Sequence, residues 1–196
     1  MIPVNSVKVR GNMPAMAYPD NQKITGLVDQ ELGGIAIADA SKGLVGWTWT
    51  VEVIGDEVML TRNGMPSTLL MVQSGIVDIA LAFDQNMRPA LAWQDDQEHI
   101  WLRVYDSVTQ VFVTTDFGIG RSPRLTLDDK REVALSTSDI IFAYISNTKL
   151  CYRQQREAYL IEHIIATVPS GLQRLDRVGM GGLHLIFELS PNTEDL

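Results

Sequence analysis

The chain has a single cysteine, Cys151, and a lone thiol cannot close an intrachain disulfide. The stapled scaffold of a small oxidised domain is therefore excluded, and Cys151, set in an apolar run, reads as a small core side chain. Only three histidines occur, His99, His163 and His184, with no i, i+4 pair and no clustered cysteine, so a metal site is not expected. No apolar run approaches the roughly 20 residues of a membrane-spanning helix. Met1 to Lys8 lack the basic start and apolar core of a signal peptide, so synthesis in a cytoplasm is expected. Basic charge is also scarce: 16 Lys and Arg against 24 Asp and Glu give a formal net charge of −8. A bulk negative field repels phosphates, which argues against nucleic acid and anionic membranes as partners. Gly-x-Ser-x-Gly and the Gly-Lys-Ser/Thr ending of a phosphate loop are both missing. The glycine-rich stretches Gly118–Gly120 and Gly179–Gly182 read as turns. No cofactor and no catalytic residue is expected.

What is present is strand after strand. The 196 residues are 45% hydrophobic and 20% charged, enough apolar material for a real core. Residues 1–32 differ from the rest. Pro3, Pro14 and Pro19 interrupt every short apolar run, which predicts an extended arm. Its apolar residues, Ile2, Val4, Val7, Met13, Met16 and Tyr18 among them, are too many for a solvated tail. The arm either straps its own domain or lies on a neighbouring subunit, and the six named residues are candidate subunit contacts.

Residues 33–190 form the expected all-β domain, followed by a short tail at 191–196. Trp47 to Val53 alternates with β-branched and aromatic residues, and Val58–Arg62 and Thr68–Val72 return across turns at Gly55-Asp56 and Asn63-Gly64. Ile35 to Ile37 is a possible fourth strand of this unit. A second unit runs Ile79–Phe83, Pro89–Gln94, His99–Tyr105 and Val111–Thr115. A third runs Arg124–Leu127, Asp139–Ser146, Lys149–Gln154 and Ala158–Ile165, the last being a strand or a short helix, with strand preferred. Leu172–Leu175 and Leu183–Leu189 suggest a closing hairpin.

The second and third units are rough copies. Ala90-Leu91-Ala92-Trp93 and Ile100-Trp101-Leu102-Arg103 correspond to Ile141-Phe142-Ala143-Tyr144 and Leu150-Cys151-Tyr152-Arg153, about 50 residues on. That spacing suits antiparallel, blade-like four-stranded units, propeller-like or stacked as a sandwich. Closed rings typically hold about four to eight blades, so three units suggest either a sandwich or a ring completed by several chains. Exposed strand edges and an apolar arm favour a homo-oligomer.

Candidate chemistry is thin. Asp84, Asp95, Asp96 and Asp128 sit at turns, where Asp caps the local backbone. A glycoside hydrolase built on two of Asp84, Asp96, Asp116 and Asp128 would need facing carboxylates. Thr114-Thr115-Asp116-Phe117-Gly118 partly matches the Asp-box turn of sialidase-like propellers, with Arg121 where the aromatic is expected; that box is a structural turn. Arg121, Arg124, Arg131, Arg153 and Arg156 suit either an anionic glycan or, better, a salt-bridged surface or subunit contact. Trp93, Trp101, Tyr105 and Tyr144, with Arg121, are the glycan-binding candidates, although their alternation with apolar residues suits a core.

The stretch from Ile79 to about Ile165 resembles small all-β structural proteins of tailed-phage particles. The residues carrying the resemblance are Asp84 to Trp93, Ile100 to Asp106, Ser138 to Tyr144 and Tyr152 to Arg156. It implies a non-enzymatic virion component of the tail or tail-fibre attachment region, present in several copies beside other virion structural proteins. It supplies no site residues. A carbohydrate-binding module for host-surface recognition is the alternative.

Overall fold

The computed structural model describes residues 33–35, 49–62, 65–84, 88–128, 139–181 and 184–191. The arm expected at 1–32, all but Pro191 of the expected tail, Asn63-Gly64 and Arg131 lie outside these residues. What is described is almost entirely antiparallel strand.

Three four-stranded meanders follow one another. The first is β1 (Gly33–Ile35), β2 (Trp49–Ile54), β3 (Glu57–Arg62) and β4 (Thr68–Val72). The second is β5 (Ile76–Phe83), β6 (Pro89–Asp95), β7 (His99–Asp106) and β8 (Val111–Ile119). The third is β9 (Arg121–Leu127), β10 (Ile140–Ser146), β11 (Lys149–Gln154) and β12 (His163–Thr167). A two-stranded sheet, β13 (Arg174–Gly181) and β14 (His184–Ser190), comes last. Each strand pairs with its sequence neighbour, as tight turns between alternating apolar runs require.

The duplicated motif survives in the register. Trp93 stands opposite Trp101 and Leu91 opposite Arg103, while Tyr144 stands opposite Cys151 and Phe142 opposite Arg153. The two copies therefore place equivalent side chains at equivalent positions in two sheets.

One expected strand is wrong in its first half. Ala158–Ile165 was expected to run as a single strand, but a 3-10 turn at Gln155–Glu157 is followed by two consecutive left-handed residues, Ala158 (φ 50°) and Tyr159 (φ 60°). Left-handed backbone cannot stay in a ladder, so pairing resumes only at His163.

The sheets pack face to face and share three cores. Val51, Val58 and Leu60 of the first sheet meet Ile79, Leu81, Leu91 and Trp93 on one face of the second. The opposite face of the second sheet, with Ala80, Ala92, Ile100 and Leu102, meets Leu125, Phe142, Tyr144 and Cys151 of the third. The other face of the third, with Ala143, Ile145 and Leu150, meets Leu175, Val178, Phe187 and Leu189. Period-2 alternation makes this possible, because each strand of a middle sheet offers an apolar residue to both sides. Burying each of the Val, Leu, Ile and Phe side chains among them contributes about 1.5–3 kcal/mol. The first strands lie in a row: β1 beside β5, β5 beside β9, and β9 beside β13.

The corner between the second and third sheets is tight. Gly120 donates its N–H to the Glu98 carbonyl at 2.8 Å, and a Cβ there would stand 2.9 Å from Ile100 Cδ1 and 3.0 Å from the Ile145 carbonyl oxygen. The carbonyl belongs to backbone and cannot swing away. Gly120→Ala is expected to destabilise the fold by about 1–3 kcal/mol, read as a lowered urea midpoint with unchanged slope.

Candidate functional site

The first strands carry the features that repeat from sheet to sheet. β5, β9 and β13 each hold one extra residue against their partner near the strand start: between Ile76 and Asp78, between Arg121 and Arg124, and between Leu175 and Arg177. A bulge bends a strand and re-aims its side chains. Arg124, next to the bulge of β9, reaches both neighbours. Its guanidinium donates to the Asp78 carboxylate of β5 at 2.8 Å, to the Asp176 carbonyl of β13 at 3.1 Å and to the Pro123 carbonyl at 2.7 Å. Arg174 pairs with Asp176 at 3.2 Å beside it. One arginine thus ties three consecutive sheets at their first strands. In the sequence Arg124 is only one of an arginine group, and nothing links it to Asp78 or Asp176, because the link depends on strand adjacency.

The outer strands repeat a second feature. β4 has an extra residue at Leu70, β8 has one between Asp116 and Ile119, and β12 has one at Ile165. Every four-stranded sheet is therefore bulged on its last strand, a common way to blunt an edge against unwanted pairing. In β8, Gly118 takes φ +81° and donates its N–H to Asp116 Oδ1 at 2.7 Å. The partial Asp-box match is a local turn here, inside a bulged edge.

The glycan candidates do not converge. Trp93 is 1% exposed, stacked on Trp101 with 6.1 Å between centroids and 7° between planes. A ring so enclosed has no face for a sugar, so the structure corrects Trp93 to a core residue. Trp101 is half-buried against the same core, and its indole N–H donates to Asp95 Oδ2 at 2.8 Å. Tyr105, further along β7, has one ring face covered by the Arg88 guanidinium at 3.8 Å and makes a T-shaped contact with Phe112. Arg121 belongs to the third sheet, opposite Ile145, on the face turned toward β13–β14, whereas Trp101 faces the first sheet. Tyr144 is buried between the second and third sheets.

Tyr144 anchors a polar cluster at that interface. Its hydroxyl donates to Glu162 Oε2 at 2.5 Å and accepts from Arg153 Nε at 2.7 Å. Arg153 also donates to Glu162 at 3.2 Å and to the carbonyls of Tyr159 and Leu160, and lies over the Phe117 ring. This holds the left-handed loop in place. Burial, then the bond to Glu162, pushes the Tyr144 hydroxyl well above its ordinary range, so it stays protonated. Burial pushes the Cys151 thiol up to about 11, which fits an inert core position.

The turn carboxylates are engaged locally. Asp84, buried, accepts from the Arg88 backbone N–H and guanidinium at 2.9 and 2.7 Å. Asp116 meets His99 Nδ1 at 2.8 Å, and Asp128 faces Arg156 at 3.7 Å. The Asp96 carboxylate lies beside Gly75. Asp84, Asp116 and Asp128 thus each have a partner close to their own turn or on a neighbouring strand. Among the described residues no group of three His, Cys, Asp or Glu could hold a metal ion, and no helix is long and apolar enough to cross a membrane.

Asp95 closes the turn between β6 and β7, accepting from the Gln97 and His99 backbone N–H groups at 3.0 and 2.8 Å. Burial raises its pKa, but the bonds from Trp101 and from the His99 and Gln97 backbone together outweigh it and hold the group below the usual range. A carboxyl held low in the folded state stabilises the fold above its unfolded pKa, and that stability is lost as pH falls through the folded pKa. Asp95→Asn is therefore expected to be less stable than the parent at pH 7, the difference shrinking below about pH 4. Urea midpoints at pH 7 and pH 3 check this; an equal difference at both would contradict it.

The two ends of the stack differ in what they leave open. The face of the first sheet turned away from the second exposes Ile54 at 62%, Leu69 and Val72 among Glu52 and Glu57. At the other end β14 has no strand on its outer edge among the described residues. No protein-family model matches the chain, and neither a curated protein nor a solved structure matches it.

Proposed function

We propose that the chain is a non-enzymatic structural subunit of a tailed-phage particle, placed in the tail or tail-fibre attachment region. It works by homo-oligomeric assembly and by contacts with other virion proteins. One observation carries the assembly part: among the described residues there are three four-stranded, blade-like sheets and a two-stranded fourth, with their first strands in a row. In a propeller-like arrangement β1, β5, β9 and β13 are the innermost strands, and Arg124 fixes the angle between successive blades. The described sheets amount to three and a half blades, fewer than the roughly four to eight of a closed ring, which supports a ring shared between neighbouring subunits. The exposed Ile54, Leu69 and Val72 on the first sheet support the same reading, because exposed apolar clusters mark interaction surfaces. The phage setting is supported by the resemblance over residues 79–165. Quantitative mass spectrometry of purified tailed particles tests it: the chain should be present in a fixed number of copies per particle. A chain made during infection but absent from particles sinks the virion reading.

A further inference from the structure

The last sheet is covered on the side turned away from the third. In β14, Leu185, Phe187 and Leu189 face the core shared with the third sheet, so Ile186 and Glu188 point the other way. On that far face Ile186 stands opposite Gly179, and Glu188 stands opposite Arg177. Ile186 keeps only 2% of its surface, Gly179 is buried, and Arg177 and Glu188 are half-buried. Neighbours within two strands do not enclose an isoleucine so fully; a further layer lies over it. Among the described residues Ile186 belongs to none of the three cores. Nor is the first sheet its cover. The far face of the first sheet stays exposed from Glu52, opposite Gly33 of β1, to Leu69 and Val72 on the outer strand. A ring closed within one chain would bury both faces against each other, and only one is buried.

The burial is complete within a single chain, so the layer comes from the chain itself. Residues 36–48 start and end in the first sheet. Residues 129–138 start and end in the third, pinched at their base where the Asp128 N–H donates to the Asp139 carbonyl at 2.7 Å. Residues 192–196, Asn-Thr-Glu-Asp-Leu, are polar and few. Residues 1–32 have the reach. The first strands lie in a row, packed sheets are about 10 Å apart, and an extended chain advances about 3.3 Å per residue. Roughly ten residues before Gly33 therefore span to the fourth sheet, leaving about twenty to lie on it. They also have the chemistry: Val4, Val7, Val9, Met13 and Met16 are apolar, and Gly179 has no side chain to compete for the space beside Ile186. We infer that residues 1–32 of the same chain lie across the far face of β13–β14, with apolar side chains seated on Ile186. The arm is then a strap that caps the last sheet, and the exposed face of the first sheet is left for a neighbouring subunit. The strap is independent of the virion reading, and either can fail without the other.

Photo-crosslinking of the full chain tests the strap. Photo-methionine incorporated for methionine places a diazirine at Met13 and Met16. Light and heavy isotope forms of the chain are mixed in urea, refolded together and irradiated. Same-isotope links from Met13 or Met16 to peptides covering 174–190 should outnumber links to 49–72 about tenfold, since the carbene inserts only into groups in contact. Mixed-isotope links to 174–190 would put the arm on a neighbour's last sheet and overturn the strap. Links to the first sheet, or none from the arm, would overturn it as well. So would photo-leucine links from Leu135 to that face in place of arm links, which would make 129–138 the cover. Ile186→Asp gives a second reading, because a carboxylate buried under an apolar strap expels it. Tryptic cleavage after Arg10 and Lys23 should quicken about tenfold in this variant, while cleavage after the exposed Lys149 keeps its rate. Equal cleavage after Arg10 and Lys23 in variant and parent would overturn the strap.

Discussion

Replacing Trp93 with alanine is expected to lower the unfolding free energy by about 3–5 kcal/mol, the largest effect of any single truncation in the fold. The side chain is 1% exposed and lies among Val51, Val58 and Leu60 of the first sheet and Ile79, Leu81 and Leu91 of its own. Its loss opens a cavity between two sheets, which the surrounding side chains fill only in part. It also removes the surface on which Trp101 stacks, and with it the geometry of the Trp101–Asp95 hydrogen bond. In a chain of this size each kcal/mol lowers the melting temperature by about 2–4 °C. A thermal midpoint within a degree or two of the parent would mean that Trp93 is not a core residue.

Arg124→Met is expected to destabilise by about 2–3 kcal/mol, somewhat less than the loss of one partner from a fully buried ion pair. Arg124 and Asp78 keep 15% and 26% of their side-chain surface, so water partly screens the Asp78 charge that is left behind. The substitution also strips a donor from the Asp176 carbonyl on the next sheet. Asp78→Asn with Arg124→Met should recover part of the loss, because the unpaired carboxylate is gone. Urea denaturation of the two single variants and the double variant measures this coupling. Strict additivity would show that the arginine does not join the sheets.

Much of the fold was legible in the sequence because antiparallel sheets with one neighbour on each side leave a period-2 record. Trp49, Val51 and Val53 alternate, and so do Leu91 and Trp93, and all five meet in one core. The copy of Ala90–Arg103 in Ile141–Arg153 was also legible, because equivalent positions face equivalent partners: Trp93 and Tyr144 both point to the preceding sheet. The left-handed step at Ala158 and Tyr159 was not, since neither residue is glycine or asparagine and the conformation is held by Arg153 from another strand. The scatter of the glycan candidates was hidden for a similar reason. Trp101 and Arg121 are 20 residues apart, yet they face opposite ends of the stack, which only the order of sheets reveals. The bulges escape a period-2 reading as well, because one extra residue looks like an ordinary end of a strand.

The most direct test of an incomplete stack closed by copies of itself is the mass of the full chain in solution. Sedimentation at micromolar concentration should give a defined multiple of 21.8 kDa, two or more, that dissociates on dilution or persists as a closed symmetric species. A monodisperse 21.8 kDa particle across the whole concentration range, folded and soluble, would contradict it.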